Sequence, residues 1–413
     1  MRVLSGKAAA EYVRRIAGRS TRFDELEPAV RRIVADVRRN GDSALRKYAE
    51  KWDGVSGEVG LRVPEKEIRS AWKQADPNLK RTLRIAAANI RRYCEKQKPR
   101  EWEQSDKGIR VGQLVRPLSS VGCYVPGGRY PLVSTLLMTA IPAQVAGVER
   151  IVIASPRAHR DVLAAAGMLG MSEVYRFGGA QAIAALACGT ESIRRVDKIV
   201  GPGNLYVTAA KKQVAFDCAI DFLAGPTEAL VVRDHGAPEF IAADLIAQAE
   251  HDPEALSLFI TTRANLAKRV ADSIQELCAD NPIAKQALKR NGAILISPRR
   301  EQSFEWANEI APEHLTIDRN DLARVRNAGS VFVGDYSAQA AGDYASGPNH
   351  VLPTGGAARF RGGLSVLDFV KLISVQELSR SGLRQIAPAV TTLAAAEGLK
   401  AHAQSIVARC GRA

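Results

Sequence analysis

The chain has 413 residues, of which 46% are hydrophobic and 25% charged, a balance that excludes a chain disordered by composition. It holds no uninterrupted apolar run of the roughly 18 residues that a membrane-spanning helix needs. Its first residues lack the apolar segment of a signal peptide, so we expect a cytoplasmic protein without a membrane partner.

The formal net charge of +14 permits a nucleic-acid partner. The basic residues are nevertheless spread along helical segments and mixed with acidic ones, and no nucleic-acid motif accompanies them. A solvated basic surface is therefore the better interpretation, and we expect no nucleic-acid partner. The six cysteines lie far apart and form no C-x-x-C pair, which argues against a disulfide framework and a thiolate zinc cluster.

The first hundred residues show apolar positions at helical spacing. This pattern predicts helices over 25–39, 42–52 and 77–96, the first ending at Asn40-Gly41. Two β-rich pieces follow, around 109–115 and 121–125. From residue 149 onwards, short β-branched runs alternate with helical segments, which is typical of parallel sheets covered by helices.

The predicted fold is therefore α/β, with two Rossmann-like parallel-sheet modules and small helical segments at both ends. The sequence predicts an N-terminal segment, a first discontinuous domain, a second domain and a C-terminal helical tail, over 1–14, 15–123 with 229–365, 124–228 and 366–413. The Gly- and Pro-rich stretch 340–363 is long for a loop in a compact protein, which favours a functional role.

Gln248 and His251 stand three residues apart on a predicted helix, so both can face one ligand. From the spacing alone, a polar helix end is the more frequent interpretation. Glu313 and His314 are adjacent and begin an apolar segment. Neighbours on a strand point to opposite faces, so both can serve one site only from an irregular turn. Two exposed polar residues before a strand remain the alternative.

Asp343 and His350 lie in a stretch of glycine and proline, where a carboxylate and an imidazole suit a metal or a substrate. Glu397 and His402, taken alone, form an ordinary surface pair on a C-terminal helix. The turns 126–128 and 201–204 follow predicted strands, where backbone N–H groups can face an anion. Each turn alone is more often a tight turn than a nucleotide site.

Taken together, these fragments resemble the histidinol dehydrogenase family. The matching stretches run in family order over nearly the whole chain: GCYVPGG (122–128), GGAQAIAAL (178–186), KIVGPGN (198–204), AGPTE (224–228), ADLIAQAEH (243–251), PEHL (312–315), GDYASGPNHVLPT (342–354) and AEGLKAH (396–402).

The resemblance implies an NAD-dependent oxidation of L-histidinol to L-histidine, through L-histidinaldehyde, with one zinc ion per subunit. It implies the zinc ligands Gln248, His251, Asp343 and His402. It makes His314 the general base and Glu313 the residue that activates water. The implied NAD contacts, in the second domain, are Tyr124, Gln181 and Asn204. The implied substrate contacts are Thr227, Gln248, His251, His314, Asp343, His350, Glu397 and His402.

The resemblance also implies an intertwined homodimer in which the tail of one subunit completes the active site of the other. Two positions depart from the family pattern: Thr227 stands where serine is common, and Arg361-Gly362-Gly363 stand where many members carry small polar residues. The added charge of Arg361 could alter the loop or the contact between subunits.

Two other interpretations stay open on the sequence. The first is a related dehydrogenase for another small alcohol, such as a sulfonated diol, which residues 128–131 permit. Glu397 argues against it, because a carboxylate would repel a sulfonate. The second is a basic nucleic-acid-binding protein on an inactive scaffold, against which the intact set of candidate ligands and base argues.

Overall fold

The computed structural model describes residues 1–19, 25–56, 59–127 and 131–410. In these ranges the α-helices are α1 (Gly6–Ala17), α2 (Glu27–Tyr48), α3 (Glu65–Gln74), α4 (Pro77–Gln97), α5 (Val133–Ala146), α6 (Arg160–Met168), α7 (Gly179–Cys188), α8 (Leu205–Val214), α9 (Pro238–Ala249), α10 (Ala264–Leu277), α11 (Pro282–Arg290), α12 (Arg300–Ile310), α13 (Gln339–Tyr344), α14 (Arg380–Ala396) and α15 (Lys400–Cys410).

The strands in the same ranges are β1 (Arg2–Ser5), β2 (Trp102–Asp106), β3 (Ile109–Pro117), β4 (Ser120–Tyr124), β5 (Arg150–Ala154), β6 (Glu173–Tyr175), β7 (Lys198–Val200), β8 (Ala219–Ile220), β9 (Glu228–Val232), β10 (Leu256–Thr261), β11 (Ala293–Ile296), β12 (His314–Ile317), β13 (Ser330–Val333) and β14 (Val370–Leu378).

A six-stranded sheet has the order β1-β11-β10-β9-β12-β13, and every pair in it is parallel. Alternate residues of β9 belong to different apolar clusters: Val231 packs with α9 and α10, whereas Leu230 packs with α1 and α12. Helices therefore cover both faces, which is why these strands are apolar runs rather than alternating patterns.

A five-stranded parallel sheet has the order β6-β5-β4-β7-β8. Its two faces are again buried. Val121 and Cys123 of β4 pack in a cluster with α3 to α6, and Tyr124 packs in a cluster with α2, α7 and α8. The predicted α/β class with parallel sheets is thus confirmed.

The predicted helices 25–39 and 42–52 are the two helical stretches of α2 and the π-helical turn Ala49–Asp53 that follows it. Gly41 has φ +50° and ψ −129°, a non-helical conformation that kinks the chain between the two stretches. Glycine adopts positive φ without the steric cost that a Cβ brings, so the first stretch ends at Asn40-Gly41 as predicted. The predicted helix 77–96 is confirmed by α4.

The predicted domain boundaries stay a prediction. The contacts between helices and sheets show which sheet the N-terminal segments join. The helices of 27–97 lie on the five-stranded sheet, because α2 contacts α7 and α8, α3 contacts α6, and α4 contacts α5. The segment 1–14 carries the edge strand β1 of the six-stranded sheet.

A third, antiparallel sheet has the order β14-β3-β2. Strand β14 pairs with β3 from Val370–Pro117 to Leu378–Ile109, and the tail then forms α14 and α15, which pack against each other. The segment from residue 366 is therefore not wholly helical. Among the described helices, none combines the length and apolar character needed to cross a membrane.

Candidate active site

The polar residues singled out in the sequence gather at the amino edge of the six-stranded sheet. Thr227 directly precedes β9, and Glu313 directly precedes β12, whose first residue is His314. The two strands are neighbours with Ala229 opposite His314, so these side chains meet. Ala311, with φ +51°, supplies the irregular turn before Glu313.

Glu313 is held by two donors. Its Oε2 accepts the Thr227 Oγ1 hydroxyl at 2.8 Å and the Glu228 backbone N–H at 2.9 Å. The same oxygen lies 3.6 Å from Nδ1 of His314. The side chains of Glu313 and His314 thus serve one site. The sequence predicts that two adjacent residues can do so only from an irregular turn.

Gln248 and Asp343 approach from the helical side. Gln248 lies in the last turn of α9, where its Nε2 donates to Asp343 Oδ2 at 3.0 Å and its Oε1 accepts from Thr227 Oγ1 at 3.2 Å. His251 follows just beyond α9, and its backbone N–H donates to Gln248 O at 3.4 Å. Asp343 lies in α13, a short helix within the stretch that the sequence predicts to be a loop.

His314 is almost fully buried, and its Nε2 lies 3.5 Å from Asp343 Oδ1 without a hydrogen-bond partner. Burial disfavours the imidazolium, but the nearby Glu313 and Asp343 carboxylates outweigh it and raise the pKa of His314 to about 10. This orphaned buried nitrogen beside a carboxylate indicates that the site is built for a further polar group.

His350 completes the group. Its Nδ1 lies 2.7 Å from the Asp343 carbonyl oxygen, and its Nε2 lies 3.4 Å from Thr135 Oγ1. Thr135, in α5, was not singled out in the sequence, because nothing in its apolar surroundings marks it. A pocket joins these residues, and its lining includes Ser134, Pro202, Phe222, Thr227, Gln248, His251, Glu313, His314, Asp343 and His350.

A buried ion pair supports the floor of the site. Both Oε atoms of Glu228 accept from the Arg19 guanidinium at 2.6 Å, and Oε1 also accepts the Gly355 N–H at 2.9 Å. Burial raises the pKa of Glu228, against the opposing effect of Arg19. The ion pair links the segment after α1 to β9, and the hydrogen bond to Gly355 adds the loop after α13. Sequence reasoning missed Arg19, since no local pattern connects it to residue 228.

Glu397 and His402 lie elsewhere in this subunit. Both are exposed on the tail, and the described lining of the pocket includes no tail residue. Within the described ranges, no three His, Cys, Asp or Glu side chains are grouped as a preformed metal site. The predicted zinc set contains only three such residues besides Gln248, and one of them, His402, is on the tail.

The three predicted NAD contacts line a second cavity of about 560 Å³ at the carboxyl edge of the five-stranded sheet. Tyr124 ends β4, and its hydroxyl oxygen accepts the Gly179 N–H at 3.1 Å. Asn204 caps α8 by accepting the Val207 N–H at 3.1 Å. Burial raises the pKa of Tyr124 to about 12, so it stays a neutral phenol.

Gln181 in this cavity is held by a residue that sequence reasoning missed. Its Nε2 donates to Asp53 Oδ2 at 3.3 Å, and the same oxygen accepts the Gly178 N–H at 3.0 Å. Burial raises the pKa of Asp53, against these hydrogen bonds and Arg157. Gly128, at the end of the stretch GCYVPGG, and its neighbours Arg129 and Tyr130 lie outside the described residues.

The fold and these two pockets define an α/β protein with a polar cluster between two parallel sheets and a cleft at the carboxyl ends of one of them. A histidinol dehydrogenase family model matches residues 17–410. The histidinol dehydrogenase of Methanothermobacter thermautotrophicus is 48% identical over 396 residues, covering 92% of this chain and 93% of its own. That of Geobacillus kaustophilus is 47% identical, with 94% of each covered.

The crystal structure of histidinol dehydrogenase from Elizabethkingia anophelis superimposes with a TM-score of 0.94 at 35% identity, covering 99% of this chain and 98% of that one. The chain belongs to the histidinol dehydrogenase family. It is accordingly an oxidoreductase of histidine biosynthesis that acts on a small molecule.

Proposed function

We propose that the protein oxidises L-histidinol to L-histidine in two successive NAD-dependent steps, at a zinc site shared between two subunits of an intertwined homodimer. The observation that carries the proposal is the convergence of Thr227, Gln248, Glu313, His314, Asp343 and His350 on one pocket. The proposal places this biosynthetic reaction in the cytoplasm.

The residues fit a zinc ion. Gln248, His251 and Asp343 line one pocket and offer an amide oxygen, an imidazole nitrogen and a carboxylate, a mixed set that zinc accepts. His402 of the tail would be the fourth ligand. Zinc would supply Lewis acidity and hold the imidazole and amine of the substrate. Asp343 engaged as a ligand would hold the proton of His314 less strongly, which leaves a neutral imidazole able to act as base.

The cavity at the five-stranded sheet fits a dinucleotide. Its volume is within the range of cofactor sites, and the amino end of α7 contributes Gly179 to its lining. Asp53 fixes the Gln181 amide nitrogen, which leaves the Gln181 oxygen to face a ligand. We assign Tyr124, Gln181 and Asn204 to NAD binding, within the second of two Rossmann-like modules.

The chain's own groups move the protons. His314 takes the alcohol proton as the first hydride passes to NAD, which gives the aldehyde. Glu313 takes a proton from water as the water adds to the aldehyde carbon, and His314 gives its proton to the aldehyde oxygen, which yields the hydrate and leaves His314 neutral. His314 takes a hydroxyl proton of the hydrate as the second hydride passes to a second NAD. The product is the carboxylic acid, histidine.

The position of Glu313 suits this role. Its Oε2 is anchored by Thr227 and the Glu228 N–H, which fixes the direction of Oε1. Thr227 therefore keeps the hydroxyl function at a position where serine is common. The substrate contacts we assign are Thr227, Gln248, His251, His314, Asp343, His350, Glu397 and His402.

The surface of the tail supports the shared site. Helix α15 has no buried residue, and Leu393, Leu399 and Val407 are exposed at 64%, 41% and 49%. Such an apolar surface favours contact with a second subunit. Burial against a partner would bring Glu397, suited to the substrate's ammonium group, and His402 to the partner's pocket.

The test of this function is NAD reduction by the purified protein with L-histidinol and, separately, with a sulfonated diol. We expect turnover of L-histidinol alone, and His314→Ala to lower it by roughly 10²–10⁴-fold as the general base is lost. The matched control is His235→Ala, because His235 is exposed, its Nε2 lies 3.2 Å from Asp318 Oδ2, and it does not line the pocket. Normal turnover by His314→Ala, or preference for the diol, would overturn the assignment.

A further inference from the structure

Arg361 joins two segments that form opposite walls of the active-site pocket. The first, residues 221–227, runs from β8 of the five-stranded sheet to β9 of the six-stranded sheet, and we name it the crossover segment. The second, residues 349–361, returns from α13 towards β14, and we name it the return loop. Both contribute to the pocket lining, through Phe222, Ala224, Gly225 and Thr227 and through His350, Val351, Leu352 and Thr354.

The Arg361 guanidinium contacts the crossover segment in two ways. Nη1 donates to the Asp221 carbonyl oxygen, and the guanidinium carbon lies 4.4 Å from the centroid of the Phe222 ring. Phe222 is 7% exposed, so the stacked cation is largely shielded from water on that side, where a cation–π contact is strongest. Arg361 itself does not line the pocket; it lies behind the wall that Phe222 forms.

The opposite side of the crossover segment is also held. Asp221 Oδ1 accepts from Lys211 Nζ at 2.6 Å, and Asp221 Oδ2 accepts the Gly201 N–H at 2.7 Å. These bonds fix Asp221 to the five-stranded sheet. Arg361 then ties the next residue, Phe222, to the return loop. A second bond joins the same two segments further along, where Thr354 Oγ1 accepts the Gly225 N–H at 2.5 Å, whereas Arg361 makes its contact at Phe222 itself.

The charge of Arg361 is balanced by a carboxylate that has a second partner. Its Nη2 lies 3.2 Å from Asp368 Oδ1, which also lies 3.2 Å from Lys198 Nζ. Ser365 caps the other oxygen, with its N–H 2.9 Å from Asp368 Oδ2. Removal of the guanidinium therefore leaves Asp368 paired, so the fold does not have to bury an unpartnered charge.

We propose that Arg361 is a positioning residue that sets the substrate side of the pocket by clamping Phe222 and the crossover segment to the return loop. A wall that is held in place binds the amino alcohol and its transition state equally. Its loss therefore weakens substrate binding without slowing the chemical steps, which His314 and Glu313 perform. The Arg361 clamp acts on the substrate pocket of the proposed reaction, so its loss should leave the cofactor cleft unaffected.

The experiment is steady-state kinetics of Arg361→Ser and Arg361→Lys with L-histidinol and NAD varied in turn. We expect Arg361→Ser to raise KM for L-histidinol roughly tenfold with kcat and the KM for NAD unchanged, the size of a lost shielded cation–π and hydrogen-bond contact. Lysine keeps the cation but lacks the planar fork, so Arg361→Lys should recover part of this loss.

The matched control is Arg359→Ser in the same loop. Arg359 bonds the carbonyl oxygens of Ala17, Glu309 and Gly356, none of which lines the pocket. Arg359→Ser should lower the unfolding midpoint without changing the KM for L-histidinol or the KM for NAD. A fall of kcat in Arg361→Ser as large as the expected rise of KM for L-histidinol, or kinetics identical to those of the wild type, would overturn the inference. Inactive wild-type protein would instead count against the proposed function.

Discussion

Asp53 carries a buried carboxyl in the cleft assigned to NAD, and it is 8% exposed. Two donors share one of its oxygens, Gly178 N–H and Gln181 Nε2. Burial raises its pKa above the ordinary 3.8, although these bonds oppose the shift. The folded protein thus binds this proton more tightly than the unfolded chain. Stability from this group is present at low pH and is lost as pH rises through the raised pKa.

We expect Asp53→Asn to remove that loss. An amide oxygen can accept both hydrogen bonds that Oδ2 accepts now, so the structure is kept. The variant should be more stable than the wild type near neutral pH, and its advantage should shrink as pH falls towards 4. Urea unfolding of both proteins at several pH values measures the difference. A difference that does not change with pH would contradict the assigned cause.

Some residues of the two sites can be predicted from the sequence, and others cannot. Gln248, Glu313, His314 and Asp343 stand in local motifs, and the structure brings them together. Asp53, Thr135 and Arg19 have no such signal. Each is placed by packing against residues far along the chain, such as Arg19 against Glu228, and only the three-dimensional fold connects them.

Among the elements, the tail differs most from its predicted form. Residues 370–378 form β14, an exposed strand paired along its whole length with β3. The sequence predicts only helices after residue 366, because a strand solvated on both faces shows no clear apolar alternation. The edge strand β1 is also missed. Its pairing partner, β11, lies far along the chain at Ala293–Ile296, so no local pattern indicates the pair.

The separation of α14 and α15 from the pocket leads to a prediction about two subunits. We expect His251→Ala and His402→Ala each to be inactive as homodimers. A heterodimer of the two, co-expressed with different tags and isolated by both, has one site with an intact body and an intact partner tail. It should recover about half of the wild-type activity per dimer.

The control for this complementation is the heterodimer of His251→Ala with Asp343→Ala. Both changes lie in the body, so each site keeps one defect and no activity should return. A His251→Ala and His402→Ala heterodimer without activity would show that the tail serves its own subunit or no site at all.

For the whole molecule, strand–helix alternation predicts the α/β class and the parallel sheets. It does not predict how the sheets are assembled. The helices of 27–97 read as amphipathic segments that could cover either sheet. Their place on the five-stranded sheet follows from contacts such as those of Val30 and Leu45 with the cluster around Ile183. From that sheet α4 also reaches the loop of the polar site, where Asn89 Nδ2 donates to the Ala345 carbonyl oxygen at 2.9 Å.

The proposed four-electron oxidation at a zinc site is tested most directly by the yield of NADH per L-histidinol in a reaction run to completion. We expect two NADH and one histidine per L-histidinol, activity lost when a chelator removes the metal, and activity restored by zinc. One NADH with accumulated aldehyde, or full turnover by protein verified to be free of metal, would contradict the proposed reaction.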